Sequence, residues 1–190
     1  MPHSCPERVV FKMLVGEMRQ HAATYAETER ARSEGNAMLE KLIQFVAIVS
    51  SALYLVPTGA HLFELPHKIT MSQADYMTVQ RIYAGWQYFG IIVAVAIIAT
   101  LAQAILARRN MKAFILALVA FVALGTALVT FALFTYPVNV ASKFWTTVPE
   151  PFEVMRRQWE YSHAASALLT FVALMANVLS ALRKTPETKR

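Results

Sequence analysis

Twenty-four consecutive residues, Ala113 to Tyr136 (AFILALVAFVALGTALVTFALFTY), carry no charged side chain. As a helix this run is about 36 Å long, which exceeds the roughly 30 Å hydrocarbon core of a bilayer. A soluble helix needs a polar stripe at 3.6-residue spacing. Here only Thr126, Thr130 and Thr135 interrupt the apolar sequence. Three further apolar blocks run Leu42 to Ala60, Ile82 to Ala107 and Tyr161 to Leu182. The first is short, contains Gln44, Ser50, Ser51 and Thr58, and is expected to continue past His61 toward Leu65. Lipid leaves backbone groups no water to bond, so each block is expected to be a helix. The chain as a whole is 56% hydrophobic and 16% charged, against about 45–50% and 25% in soluble domains. The expected fold is all-α, a membrane four-helix bundle running up-down-up-down. Its helices are placed at about 39–65, 82–107, 112–136 and 152–182, in a domain of residues 38–190 behind a polar or amphipathic extension, 1–37.

The formal net charge is +6. The basic residues flank the apolar blocks instead of forming a stripe, so they are read as topology signals and no nucleic-acid partner is expected. Lys and Arg number six up to Lys41, three in the RRNMK link between the second and third blocks, and four from Arg183 onward. The loops on the opposite side hold five: Lys68, Arg81, Lys143, Arg156 and Arg157. The positive-inside rule then places both termini and the RRNMK link in the cytoplasm and the two longer loops outside, in a multi-pass membrane protein. Trp86, Tyr88, Tyr136, Trp145, Trp159 and Tyr161 fall near the outer boundary, where aromatic rings prefer to lie.

The extension carries a weak helical pattern, with Val9, Val10, Met13, Leu14 and Glu17 along part of one face. It reads as an amphipathic helix on the inner membrane surface, as a partly disordered tail, or as a leader ahead of a start at Met38. Gly35-Asn36 marks a break before the first spanning helix. Cys5 is the only cysteine, so a disulfide framework within the chain is excluded. Phosphate-loop, His-Glu-x-x-His and Cys-x-x-Cys-His motifs are absent from the sequence, and Asp75, its only aspartate, lies in a loop and completes no triad.

Ionisable groups at membrane depth are costly, which makes them functional candidates. Gln44, Gln103 and Asn177 are uncharged and suited to bonding neighbouring helices. The outer end is richer. His61 and Glu64 in PTGAHLFELPHK are three apart, on one helical face. Pro57 frees the carbonyl of Leu53 and is placed to kink the helix, and His67 and Lys68, following Pro66, read as solvated loop. Before the fourth block, Arg156, Trp159, Glu160 and His163 fall at offsets of 0, 3, 4 and 7 and share a face. Asn139 in TYPVN lies at the same level. Two histidines and two carboxylates on facing helices suit a metal site, haem ligation or proton transfer. They suit equally an interfacial salt-bridge cluster using Arg156 or Arg157.

The segments YPVN, with Pro137 and Asn139, and RRQWEYSH, with Arg157, Trp159 and His163, resemble the anthrone-oxygenase-like family of small four-helix membrane proteins. The first helix, ending in PTGAHLFELP, is similar to bacterial members, and the likeness covers about residues 39–182. Family members often carry a basic residue one turn after the histidine, where this chain has Ser166. A few fungal members are linked to oxidation of anthrones, and most bacterial members have no assigned reaction. Together the residues and the resemblance lead to an expectation. It is a redox or oxygenase-type site at the outer end, acting on a small hydrophobic or aromatic molecule. His61 and His163 serve there as catalytic or metal-ligating residues, and Glu64, Asn139, Arg157, Trp159 and Glu160 support them. A haem, a metal ion or no cofactor at all is compatible with this reading. The alternative is a non-enzymatic membrane component, a small-molecule carrier or accessory subunit, whose polar cluster is structural.

Overall fold

The computed structural model describes the backbone of residues 6–183 and the side chains of residues 16–183. The expectations placed on Cys5, on the face formed by Val9, Val10, Met13 and Leu14, and on the tail beyond Arg183 lie outside these described side chains. The chain divides after Lys41 into two compact units. In order come α1 (Pro6–Lys68), α2 (Gln73–Val79), 3-10 turns at Gln80–Tyr83 and Trp86–Tyr88, α3 (Phe89–Ala107) and α4 (Met111–Thr130). A π-helical turn (Phe131–Thr135), α5 (Tyr136–Ala141) and α6 (Phe152–Ala181) complete the chain.

The first unit is helical, with its side chains from Gly16 onward almost all exposed, including Met18 and Tyr25. Thr24 and Thr28 return their hydroxyls to the carbonyls of Gln20 and Thr24. The break expected at Gly35-Asn36 does not occur, and α1 passes through both. One glycine within a helix costs only about 1 kcal/mol relative to alanine, too little to end it.

In the second unit four long apolar helices pack together as a bundle, each long and apolar enough to cross a membrane. Its interior is lined with small and weakly polar residues: Ala96, Thr100, Ala117, Ala120, Ala127, Ala167, Thr170 and Ala173 are buried. Its outer surface carries the large ones, among them Phe45, Ile91, Ile98, Ile115, Val122, Leu168 and Phe171. Lipid is as apolar as leucine, so membrane helices associate by close approach of small residues rather than by hiding large ones. The inverted distribution therefore identifies a multi-pass membrane protein on grounds separate from hydropathy. On α4 the buried positions 113, 117, 120, 123, 124 and 127 recur at steps of three and four, which keeps one face of the helix toward the bundle.

Toward the end of the bundle where α3 and α6 terminate, Asn177 Nδ2 donates to Ser51 Oγ (3.1 Å) and Thr100 Oγ1 (3.0 Å), and Gln103 Nε2 donates to the Asn177 backbone carbonyl (3.2 Å). Three helices are thereby fixed in register by uncharged groups, as the sequence leads one to expect.

Element boundaries depart from expectation at the end carrying α2. The first helix does not stop at 65 but continues through Pro57 and Pro66 to Lys68, so His67 is helical. The second spanning helix begins later than 82, because Gly85 sits at φ +89° between two 3-10 turns and interrupts the α-helix. The third continues past Tyr136. Pro137 has no N–H to offer the carbonyl four residues back, and the helix absorbs this with a π turn in which Tyr136 N bonds the Phe131 carbonyl. Asn139, expected after the helix, is thus within α5. Asp75 likewise lies in the first turn of α2, where Ser72 caps the helix by accepting from its N–H.

Candidate functional site

At one end of the bundle, α1, α2 and the 3-10 turns, α5 and the loop after it, and α6 converge. The last turns of α1 place His61, Glu64 and Lys68 on one face, since residues three and four apart are helical neighbours. From α6, Arg156, Trp159, Glu160 and His163 form the facing stripe. Arg156, Trp159 and Glu160 are buried and His163 is half-buried, so the face expected from the spacing is realised.

Lys68 is the centre of the polar network. It is 1% exposed, and its Nζ lies 2.9 Å from Glu160 Oε1, itself fully buried. The expectation that Lys68 belongs to a solvated loop is therefore overturned. Its helix outlasts Pro66, which turns Lys68 inward over the face of His61 and Glu64, while His67 is exposed. Lys68 also reaches Gln80 Oε1 (3.4 Å), Tyr83 OH (3.3 Å) and Glu64 Oε2 (3.9 Å), and lies 4.6 Å from the Trp159 ring centre. Tyr76 OH donates to Glu160 Oε1 at 2.8 Å and accepts from Gln80 Nε2 at 2.7 Å. Tyr83 OH donates to Glu64 Oε2. Burial, and then the hydrogen bond to and charge of the carboxylate each phenol serves, push both tyrosines above the ordinary phenol range. Each therefore stays a neutral donor.

Beside this network lies an imidazole pair. The rings of His61 and His163 are 4.2 Å apart between centres and tilted by 39°. Trp159 packs against both, at 4.8 and 4.2 Å, and donates its Nε1 to Asn139 Oδ1 at 2.8 Å. Tyr83 and Trp86 close the other side of His61, at 4.5 and 5.6 Å. His61 is 3% exposed, and its Nδ1 has no hydrogen-bond partner. The nearest acidic oxygen, Glu64 Oε2, is 3.7 Å away.

The loop after α5 supplies a lid. Lys143, Phe144 and Trp145 all have positive φ (50°, 56° and 63°). That backbone is unfavourable for L residues and is held by Ser142, whose Oγ accepts from Trp145 N at 3.0 Å. Trp145 is thereby turned inward against Tyr76 and Trp159. Of the aromatic residues expected near the outer membrane boundary, Trp145 and Trp159 are buried within the cluster, whereas Tyr88, Tyr136 and Tyr161 are exposed.

Arg156 pairs with Glu153 (2.5 Å) and bonds the Met71 carbonyl (2.7 Å), so neither Glu64 nor Glu160 has it as an ion partner. Arg157 does not join the cluster. It is exposed on the other side of α6, lining an open groove of about 480 Å³ with Phe134 and Tyr161.

Two imidazoles bonded across one iron by nitrogens at about 2.0–2.1 Å would have ring centres roughly 6 Å apart. The 4.2 Å pair, with Trp159 packed on both rings, does not fit a haem held between them. Among the described residues no group of three or more His, Cys, Asp or Glu is placed to hold a metal ion. A metal reading thus has only the two imidazoles to rest on.

Sequence reasoning missed Lys68, Tyr76, Gln80, Tyr83 and Trp145. Lys68 had a usable signal, its spacing of four from Glu64 and seven from His61. Comparison with family models, with curated proteins and with solved structures gave no match.

Proposed function

We propose that this membrane protein carries a redox or oxygenase-type site at the outer end of its bundle, with both termini in the cytoplasm, and that it oxidises a small hydrophobic or aromatic molecule. The observation that carries the reading is the His61–His163 pair. With its proton on Nε2, buried His61 has an unpartnered lone pair on Nδ1 that can take a substrate proton, whereas buried polar atoms otherwise find partners. The aromatic surround of Trp86 and Trp159 suits a flat apolar substrate. In the reaction, an activated C–H of the substrate gives its proton to an imidazole. Dioxygen is the oxidant: a methylene becomes a carbonyl, and one O2 supplies the carbonyl oxygen and the oxygen of one water. Lys68 and Glu160 set the local field, and Asn139 orients Trp159. The likeness of YPVN and RRQWEYSH to the anthrone-oxygenase-like family supports the same chemistry.

The test is oxygen uptake by the purified protein with an anthrone-type substrate, alongside its absorption spectrum and metal content. H61A and H163A should each abolish uptake while the protein keeps its elution profile. Full uptake in both variants would overturn the proposal. The second reading, a carrier or accessory subunit with a structural cluster, is favoured by the mutual bonding of Lys68, Glu160, Tyr76 and Gln80. It predicts no uptake in any variant.

A further inference from the structure

We infer that Glu64 is the group through which buried His61 exchanges its proton with bulk water. The inference rests on the acid–base reading of the His61–His163 pair and names the route that such a site needs. A histidine that takes a proton in one turnover must lose it before the next, and His61 cannot do so directly. Its side chain is 4% exposed and walled by Tyr83, Trp86, Trp159 and His163. Indole rings neither accept nor carry a proton. Lys68 and Glu160, the other charged groups at this end near it, are 2% and 0% exposed and bonded to each other. Glu64 differs from both. Its side chain is 36% exposed, and its Oε2 is 3.7 Å from His61 Nδ1.

That gap is longer than a hydrogen bond, and a small side-chain rotation or one water closes it. The transfer is simple: the Nδ1–H bond breaks as an O–H bond forms on Oε2, and the carboxylic acid then releases the proton at its exposed edge. Return follows the same path. Two neighbours hold the carboxylate in place. Tyr83 OH donates to the oxygen that faces His61, and Lys68 Nζ stands 3.9 Å from it. Since Tyr83 stays a neutral phenol, it positions Glu64 without competing for the proton. Of the other titratable groups near His61, Tyr83 stays a neutral phenol and Lys68 is bonded to Glu160, which leaves His163, half-buried against the ring. It offers the rival exit.

The experiment needs no substrate, so its outcome is separate from that of the oxidation assay. The full chain, labelled with 15N-histidine, is placed in lipid nanodiscs. Exchange of the His61 imidazole N–H with water is then read by NMR, with the resonance assigned by its loss in H61N. E64Q keeps size and polarity and should slow exchange by about a hundredfold, the low end for a lost acid–base group. E64D, which withdraws the acid by one methylene, should slow it less. Added formate should restore exchange in E64A in proportion to its concentration, which a merely structural role would not give. Exchange at the wild-type rate in E64Q would overturn the inference. So would a slowing in H163N without one in E64Q, because the proton would then leave through His163.

Discussion

Replacing Lys68 by methionine should destabilise the protein more than any other single change at the site. The methionine side chain would fill most of the same volume, so packing is nearly conserved and the effect is electrostatic. Glu160 is fully buried and would lose the ammonium 2.9 Å from its Oε1. What remains is one hydrogen bond from Tyr76 at 2.8 Å, and Oε2 has no partner already. Removing one member of a buried pair costs about 3–5 kcal/mol, because the other charge is left uncompensated. The reverse change, E160Q, should cost less. Lys68 would still have Gln80 at 3.4 Å, Tyr83 at 3.3 Å and the Glu64 carboxylate at 3.9 Å, and the carboxamide introduced by E160Q would still accept from Tyr76. The double variant K68M/E160Q should recover most of the loss, since no unpaired charge stays behind. A coupling energy of about 2–3 kcal/mol is expected for two groups in direct contact. Reversible unfolding in mixed micelles by titrated SDS can be followed by tryptophan fluorescence, and two of the three tryptophans, Trp145 and Trp159, are buried beside the pair. A K68M protein within about 0.5 kcal/mol of the wild type, the range of an uninvolved surface change, would refute the reasoning. So would a double variant no better than K68M alone.

Three further outcomes follow from the same structure. Asn177→Leu removes the bonds to Ser51 and Thr100 and should cost about 0.6–2 kcal/mol, the range of interhelical bonds in membranes, in the same SDS titration. Ala120→Leu should cost about 1–3 kcal/mol by forcing apart a closed helix seam, whereas Leu118→Ala on the exposed face should leave the midpoint unchanged in thermal unfolding. In a C5S background, single cysteines at 75 and 147 should react with an impermeant maleimide added outside the cell and one at 110 should not; the inverse pattern would reverse the orientation.

The helices were legible because a bilayer imposes a crude rule, about 20 residues without charge, and the third block satisfies it throughout. The inward stripe of α6 was legible for a similar reason. Arg156 and His163 are seven residues apart, which at 100° per residue returns to within about 20° of the same direction. Arg157 and His163 are six apart and point about 120° away from each other. The structure accordingly sets Arg157 apart from this face, in an open groove with Phe134 and Tyr161. Lys68 was hidden by Pro66, since a proline late in a helix reads as its end; here α1 outlasts it by two residues, enough to bring the ammonium inward. Tyr76, Gln80 and Tyr83 come from a segment that doubles back in short turns, and no periodicity marks which side chains face the bundle. Trp145 depends on three successive left-handed residues, a backbone that no residue pattern announces.

Two groups of polar residues in this bundle differ in a way that bears on function. The group toward the far end from the histidines, Ser51, Thr100, Gln103 and Asn177, is uncharged, and its bonds run between helices. Groups of that kind cost little at membrane depth and fix register. The other group holds a lysine, a glutamate and two histidines, with a further glutamate half in water. Charges are far more expensive near a bilayer, and replacing a buried ion pair with apolar residues is often neutral or stabilising. Stability alone therefore does not account for Lys68 and Glu160, because the uncharged group already serves to lock the helices. A buried imidazole with an unpartnered nitrogen, a carboxylate between it and water, and a positive charge within 4 Å of that carboxylate are the groups on which the proposed proton route rests. The stability cycle on Lys68 and Glu160 and the exchange rate at His61 therefore measure two different things. A site kept for chemistry should allow E64Q to slow exchange while leaving the unfolding midpoint nearly where it was.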